Sequence, residues 1–100
     1  MAINLKSYPF DEPHGQSGFL QARSGVYAIL GKHPWEPQYR VLDIGESQSV
    51  QERVANHDRA HSWRRHNVPL FCAVFYCNEP DRMRVERELR AVFNPPCGER

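Results

Sequence analysis

The sequence predicts a mixed α/β (α+β) domain on three observations. Two short apolar runs flank a loop rich in proline and glycine and read as a hairpin, a helix-capping signature opens an amphipathic stretch, and an aromatic-rich strand leads into a second amphipathic helix. At 100 residues, the chain can bury one modest core, so scaffold and site must share one domain. A composition of 40% hydrophobic and 25% charged residues is ordinary for a globular fold. The longest apolar runs are too short to cross a bilayer. The opening Met1-Ala2-Ile3-Asn4-Leu5-Lys6 has neither the basic lead nor the apolar length of a signal peptide. A cytoplasmic protein with no membrane association is the expectation.

Residues 1–19, with Pro9, Pro13, Gly15 and Gly18, show little periodicity and are predicted as an irregular leader, followed by a domain over 20–100. Residues 25–30 form a short apolar strand. The loop after it, Gly31-Lys32-His33-Pro34-Trp35-Glu36-Pro37, is forced by its prolines and glycine. A second strand over 39–44 completes the hairpin. With a side-chain period of two, Tyr27 shares a face with Gly25 and Ile29, and Asp43 shares one with Val41 and Gly45.

Ser49-Val50-Gln51-Glu52 matches a capping box, which predicts a helix from about 49 to about 60. Val50, Arg53, Val54, His57 and His61 would lie on one side of it, so an arginine and two imidazoles share the apolar stripe. Residues 62–67 read as a polar connection carrying Trp63, and 70–77 as a central strand. The last helix has Pro80 or Asp81 in its first turn and is stopped by Asn94-Pro95-Pro96.

On that last helix, Glu86 falls among Met83, Leu89 and Phe93, with Val85 and Val92 extending the stripe, while Glu88 lies on the opposite, solvated side. A carboxylate on an apolar face needs a partner. An ion pair with Arg53 or another arginine and a bound cation satisfy that need equally.

The net charge is +1, so any attraction to nucleic acid must be local. Between Arg53 and His66 there are four arginines (Arg53, Arg59, Arg64 and Arg65) against the single acid Asp58. This is either a phosphate-binding face or a solvated helix surface. Cys72, Cys77 and Cys97 include no C-x-x-C pair and read as reduced structural thiols.

Gly25-Val26-Tyr27, Asp43-Ile44-Gly45, Arg53 with His57, and Glu86 ahead of Asn94-Pro95-Pro96-Cys97-Gly98 stand in an order that resembles the GIY-YIG nuclease family. The likeness spans roughly Ser24 to Glu99. Its intervals agree as well: Asp43 to Arg53, Arg53 to His57, and Glu86 to Leu89 and Pro95. The resemblance implies a three-stranded antiparallel sheet flanked by helices and cleavage of phosphodiester bonds in DNA with one divalent cation, Mg²⁺ or Mn²⁺. It implies that Glu86 holds the cation and that Tyr27 acts as general base or relay. Arg53 would grip the scissile phosphate beside His57, and Arg59, His61, Arg64 and Arg65 would contact nucleic acid.

The chain departs from the family pattern at three places. Asp43 replaces the second motif tyrosine, Glu46 replaces the usual lysine, and Cys97 or Gly98 stands where an asparagine is frequent. Asp43 could therefore join Glu86 around the cation, or repel phosphate. Two other readings remain beside the nuclease. One is a weak or inactive relative that binds nucleic acid. The other is a zinc-stabilised interaction domain using His57 and His61 at i, i+4 with His66 or Cys97.

Overall fold

The computed structural model describes residues 2–98, without the side chain of Ser17. Five strands and three α-helices follow one another: β1 (Ile3–Leu5), β2 (Tyr8–Phe10), β3 (Gly25–Gly31), β4 (Arg40–Ser47), α1 (Val50–Ala55), α2 (Ala60–Arg64), β5 (Leu70–Tyr76) and α3 (Glu79–Phe93). A short 3-10 turn, Ser17–Phe19, precedes β3. The main sheet is antiparallel with order β4-β3-β5, so the three-stranded antiparallel sheet with helices stands.

β3 is the central strand, and every one of its residues is buried. That corrects the assignment of 70–77 as central: β5 pairs only with β3 in this sheet. Its other edge is covered by the leader, whose Asp11 N–H donates to the Val74 carbonyl at 2.9 Å. His14 exchanges two backbone hydrogen bonds with Cys72, each 2.8 Å long. Capping an open edge in this way removes the unpaired backbone groups on which another chain could template.

The leader is therefore not irregular throughout. β1 and β2 pair in a hairpin, with Lys6 in the turn at a left-handed φ of 59°. Leu5 and Phe10 are buried in one core cluster with Val26, Ala28 and Leu30 of β3 and Val85 and Leu89 of α3. The opposite face of β3 presents Tyr27 and Ile29 to a second cluster that includes Val50 of α1 and Trp63 of α2. Full burial of side chains such as these contributes about 1.5–3 kcal/mol each.

The β3–β4 register shifts at Ile29/Leu30: Ile29 pairs with Asp43, whereas Leu30 pairs with Val41. Leu42 is the extra residue of this bulge. Asp43 and Gly45 consequently share the Tyr27 face, as expected, while Val41 packs into the other cluster, contrary to the simple alternation.

The helix predicted over 49–60 breaks at Asn56, which ends α1. The capping box does not form, because Ser49 makes no side-chain cap bond and Ser47 Oγ instead accepts the Ser49 N–H at 3.0 Å. α3 has Pro80 and Asp81 in its first turn and ends before Asn94-Pro95-Pro96, as expected. Asn78 Oδ1 caps the N-terminus by accepting the Asp81 N–H, and Asn94 closes the helix at φ 45° in the left-handed region. Its buried face centres on Val85 and Leu89. Met83 and Val92 are 45% and 52% exposed, so the apolar stripe is narrower than predicted and Glu86 sits at its margin.

Candidate active-site cleft

A polar cleft of about 330 Å³ is lined by Tyr27, Gly45 and Glu46 of the sheet, Arg53 and Arg59 of the α1–α2 region, and Glu86 and Arg90 of α3. Four of the residues singled out from sequence, Tyr27, Arg53, Arg59 and Glu86, thus meet from segments far apart in the chain. Tyr27 is seated by Gly45. A Cβ at position 45 would overlap the Tyr27 ring carbon and its hydroxyl, so the glycine is required for close approach, not for backbone freedom.

Tyr27 Oη lies 2.6 Å from His57 Nε2. His57 Nδ1 accepts the Arg59 backbone N–H at 3.0 Å. An imidazole that accepts at Nδ1 and is neutral carries its proton on Nε2, so His57 donates to the tyrosine oxygen. The phenol keeps its own proton for another acceptor. Burial, reinforced by the Arg53 and Arg59 charges, depresses the His57 pKa from 6.5 to about 4, which keeps the ring neutral at pH 7. Burial raises Tyr27 from 10.0 to about 12, with Arg53 opposing that rise.

Arg53 is partly exposed, and its Nη2 pairs with the exposed Asp58 at 3.2 Å, a weak contact that a stronger anion can displace. Glu86 Oε2 accepts from Arg90 Nε at 2.9 Å. The ion pair weighed for Glu86 is therefore made by Arg90, one turn along the same helix, and not by Arg53. Glu88 is not simply solvated: it bonds Lys6 and accepts from Tyr8 Oη at 2.7 Å, fastening the β1–β2 hairpin to α3.

Asp43 is fully buried. Its Oδ2 accepts from Arg59 Nε at 2.9 Å and Trp63 Nε1 at 2.7 Å, and its Oδ1 from Arg59 Nη2 at 3.2 Å and Arg90 Nη2 at 2.7 Å. Two guanidinium groups and an indole thus occupy both oxygens, which leaves Asp43 structural and not free to share a cation with Glu86. Arg59 is likewise drawn out of the basic surface patch into this network. Glu46 is neutralised by Arg82, whose Nε donates to it at 2.6 Å.

Glu86 is the carboxylate of the cleft that could take a cation, and its Oε2 is engaged by Arg90. Among the described residues no group of three or more His, Cys, Asp or Glu side chains converges, while Glu86 lines the cleft with 24% of its side chain exposed. One carboxylate, with water and phosphate oxygens completing the sphere, is an ordinary arrangement for Mg²⁺.

Other sequence candidates are dispersed. The break at Asn56 buries His57 and leaves His61 exposed, so the i, i+4 zinc geometry is not formed. Arg64, Arg65 and His66 are exposed on and just after α2. Cys97 Sγ lies 3.4 Å from His66 Nε2, and burial holds its thiol above the ordinary pKa. All three cysteines are free. Trp63, read as part of a polar connection, is instead a buried residue of α2, and neither it nor Arg90 was given a place in the site. The i, i+4 spacing of Glu86 and Arg90 was the signal for the second, whereas nothing local announced Trp63. Compared with protein-family models, curated proteins and solved structures, the chain finds no match in any of the three. No helix among the described residues is long and apolar enough to cross a membrane.

Proposed function

We propose that the chain is a metal-dependent endonuclease of GIY-YIG type that hydrolyses phosphodiester bonds in DNA. The observation that carries this reading is the convergence of Tyr27, Arg53 and Glu86 on one polar cleft. These are the residue types that phosphodiester hydrolysis needs: a proton relay, a phosphate-gripping guanidinium and a hard-oxygen ligand. Mg²⁺ or Mn²⁺ at Glu86 would offset charge on the departing 3′ oxygen.

The chain's own residues supply the rest. Arg53 exchanges Asp58 for the scissile phosphate and holds it through two N–H groups. Tyr27, once deprotonated, accepts the proton of the attacking water, and the His57 Nε2–H steadies the phenolate during that transfer. With a phenol pKa of about 12, only a small fraction is ionised at neutral pH, so the rate rises as pH increases through 7 to 9.

A second reading, a domain that binds nucleic acid without cutting it, is favoured by one contact, the Glu86–Arg90 pair, which must open before Glu86 can take a cation. Incubating the protein with supercoiled, linear, branched and single-stranded DNA in Mg²⁺, Mn²⁺ or chelator separates the two. Cleavage that chelator abolishes supports the nuclease. Retention of DNA with no cleavage in either metal supports the second reading.

A further inference from the structure

We propose that Trp35, stacked on His33, is a base-stacking platform for single-stranded nucleic acid, with Arg64 and Arg65 of the α2 end as its phosphate contacts. The inference rests on the nuclease or nucleic-acid-binding reading above and adds the form of strand the chain grips.

Trp35 is 77% exposed, a large apolar ring kept in water that nothing in the fold requires. It is held firmly. The indole lies parallel to the His33 imidazole, with centroids 4.4 Å apart and an interplanar angle of 4°. Residues 33–36 form a closed turn: Glu36 N–H donates to the His33 carbonyl at 3.0 Å, and Glu36 Oε1 accepts the His33 N–H at 2.6 Å. Pro34 fixes the second position of that turn. The Lys32 N–H bonds the Pro69 carbonyl at 3.1 Å, tying the loop to the segment before β5. One face of the indole is thus covered by His33, and a planar partner can add to the other at little ordering cost.

Charge supplies the direction. Arg53 lines the cleft, where Arg59 is already committed to the buried Asp43. Arg65 and His66 line a neighbouring hollow, and Arg64, at the end of α2, lines a third with His33 and Asn67. The Glu36 carboxylate, the acid in the loop, is offset by Arg40 at 3.7 Å. Exposed cations beside an exposed aromatic face are what binds single strands, phosphates on the cations and a base on the ring. A duplex keeps its bases stacked internally and gains nothing from the indole.

The test uses fluorescein-labelled oligo-dT and oligo-rU of about 12 nucleotides, and a duplex of the same length, all in chelator so that no strand is cut. Wild type should bind the single strands, and tryptophan emission should be quenched. Trp35→Ala should weaken single-strand binding about tenfold and abolish the quenching, because the remaining Trp63 is buried. Trp35→Phe should restore most of the affinity, and duplex binding should stay within about twofold throughout. If Trp35→Ala binds single strands as wild type does, or if quenching survives it, the platform is overturned while the cleft assignment stands. If wild type binds no nucleic acid of any form, both fall together.

Discussion

A methyl group at position 45 would overlap the Tyr27 ring, so Gly45→Ala should displace the phenol from His57. Overpacking of a buried site typically costs 1–3 kcal/mol, and a loss of about 2 kcal/mol in urea denaturation is the expected outcome. A change under about 0.5 kcal/mol would mean that Tyr27 has room to move. Asp43 offers a second residue-scale test. Asp43→Asn removes the charge shared by Arg59 and Arg90 and leaves two of the four N–H groups it accepts facing an amide N–H. Breaking a buried pair in this way costs about 3 kcal/mol, far more than Asp58→Asn, whose carboxylate is 77% exposed. Equal effects in thermal unfolding would show that Asp43 is solvated.

The break between α1 and α2 turns His57 inward, and this carries a pH dependence. Its folded pKa of about 4 lies below the ordinary 6.5. Between those values the unfolded chain binds a proton that the folded chain does not, so stability falls as pH drops through this window. The expected loss is on the order of 2 kcal/mol, and His57→Gln should remove that limb of the stability profile. An unchanged profile in His57→Gln would contradict the buried neutral imidazole.

The strands read at 25–30 and 70–77 and the two ends of α3 were legible because they rest on local signals: apolar runs, Pro80 or Asp81 in the first turn, and the Asn94-Pro95-Pro96 stop. The Leu42 bulge was not legible, since an extra residue in a strand has no signature in an unbroken Arg40-Val41-Leu42-Asp43 run. The α1–α2 break was equally hidden, because Asn56 to Arg59 continues a helix-compatible pattern and only burial of His57 against Tyr27 decides otherwise. Three-residue strands such as β1 and β2 are too short for periodicity to show.

At the scale of the whole molecule, the sheet's two faces do different work. One carries the hairpin and α3 as scaffold, and the other carries Tyr27, Asp43 and His57 towards the cleft. Glu86 and Arg90, from the scaffold helix, join the two. The candidate residues could be named from sequence, but the partners that decide their roles come from distant segments: Arg90 on Asp43 and Glu86, and Trp63 on Asp43. The most direct test of the nuclease assignment is single-turnover cleavage of supercoiled DNA in Mg²⁺ and Mn²⁺ by wild type, Glu86→Gln and Glu88→Gln. Wild type and Glu88→Gln should cut at comparable rates, and Glu86→Gln should lose at least about 100-fold. Normal cleavage by Glu86→Gln, or none by wild type in either metal, would contradict it.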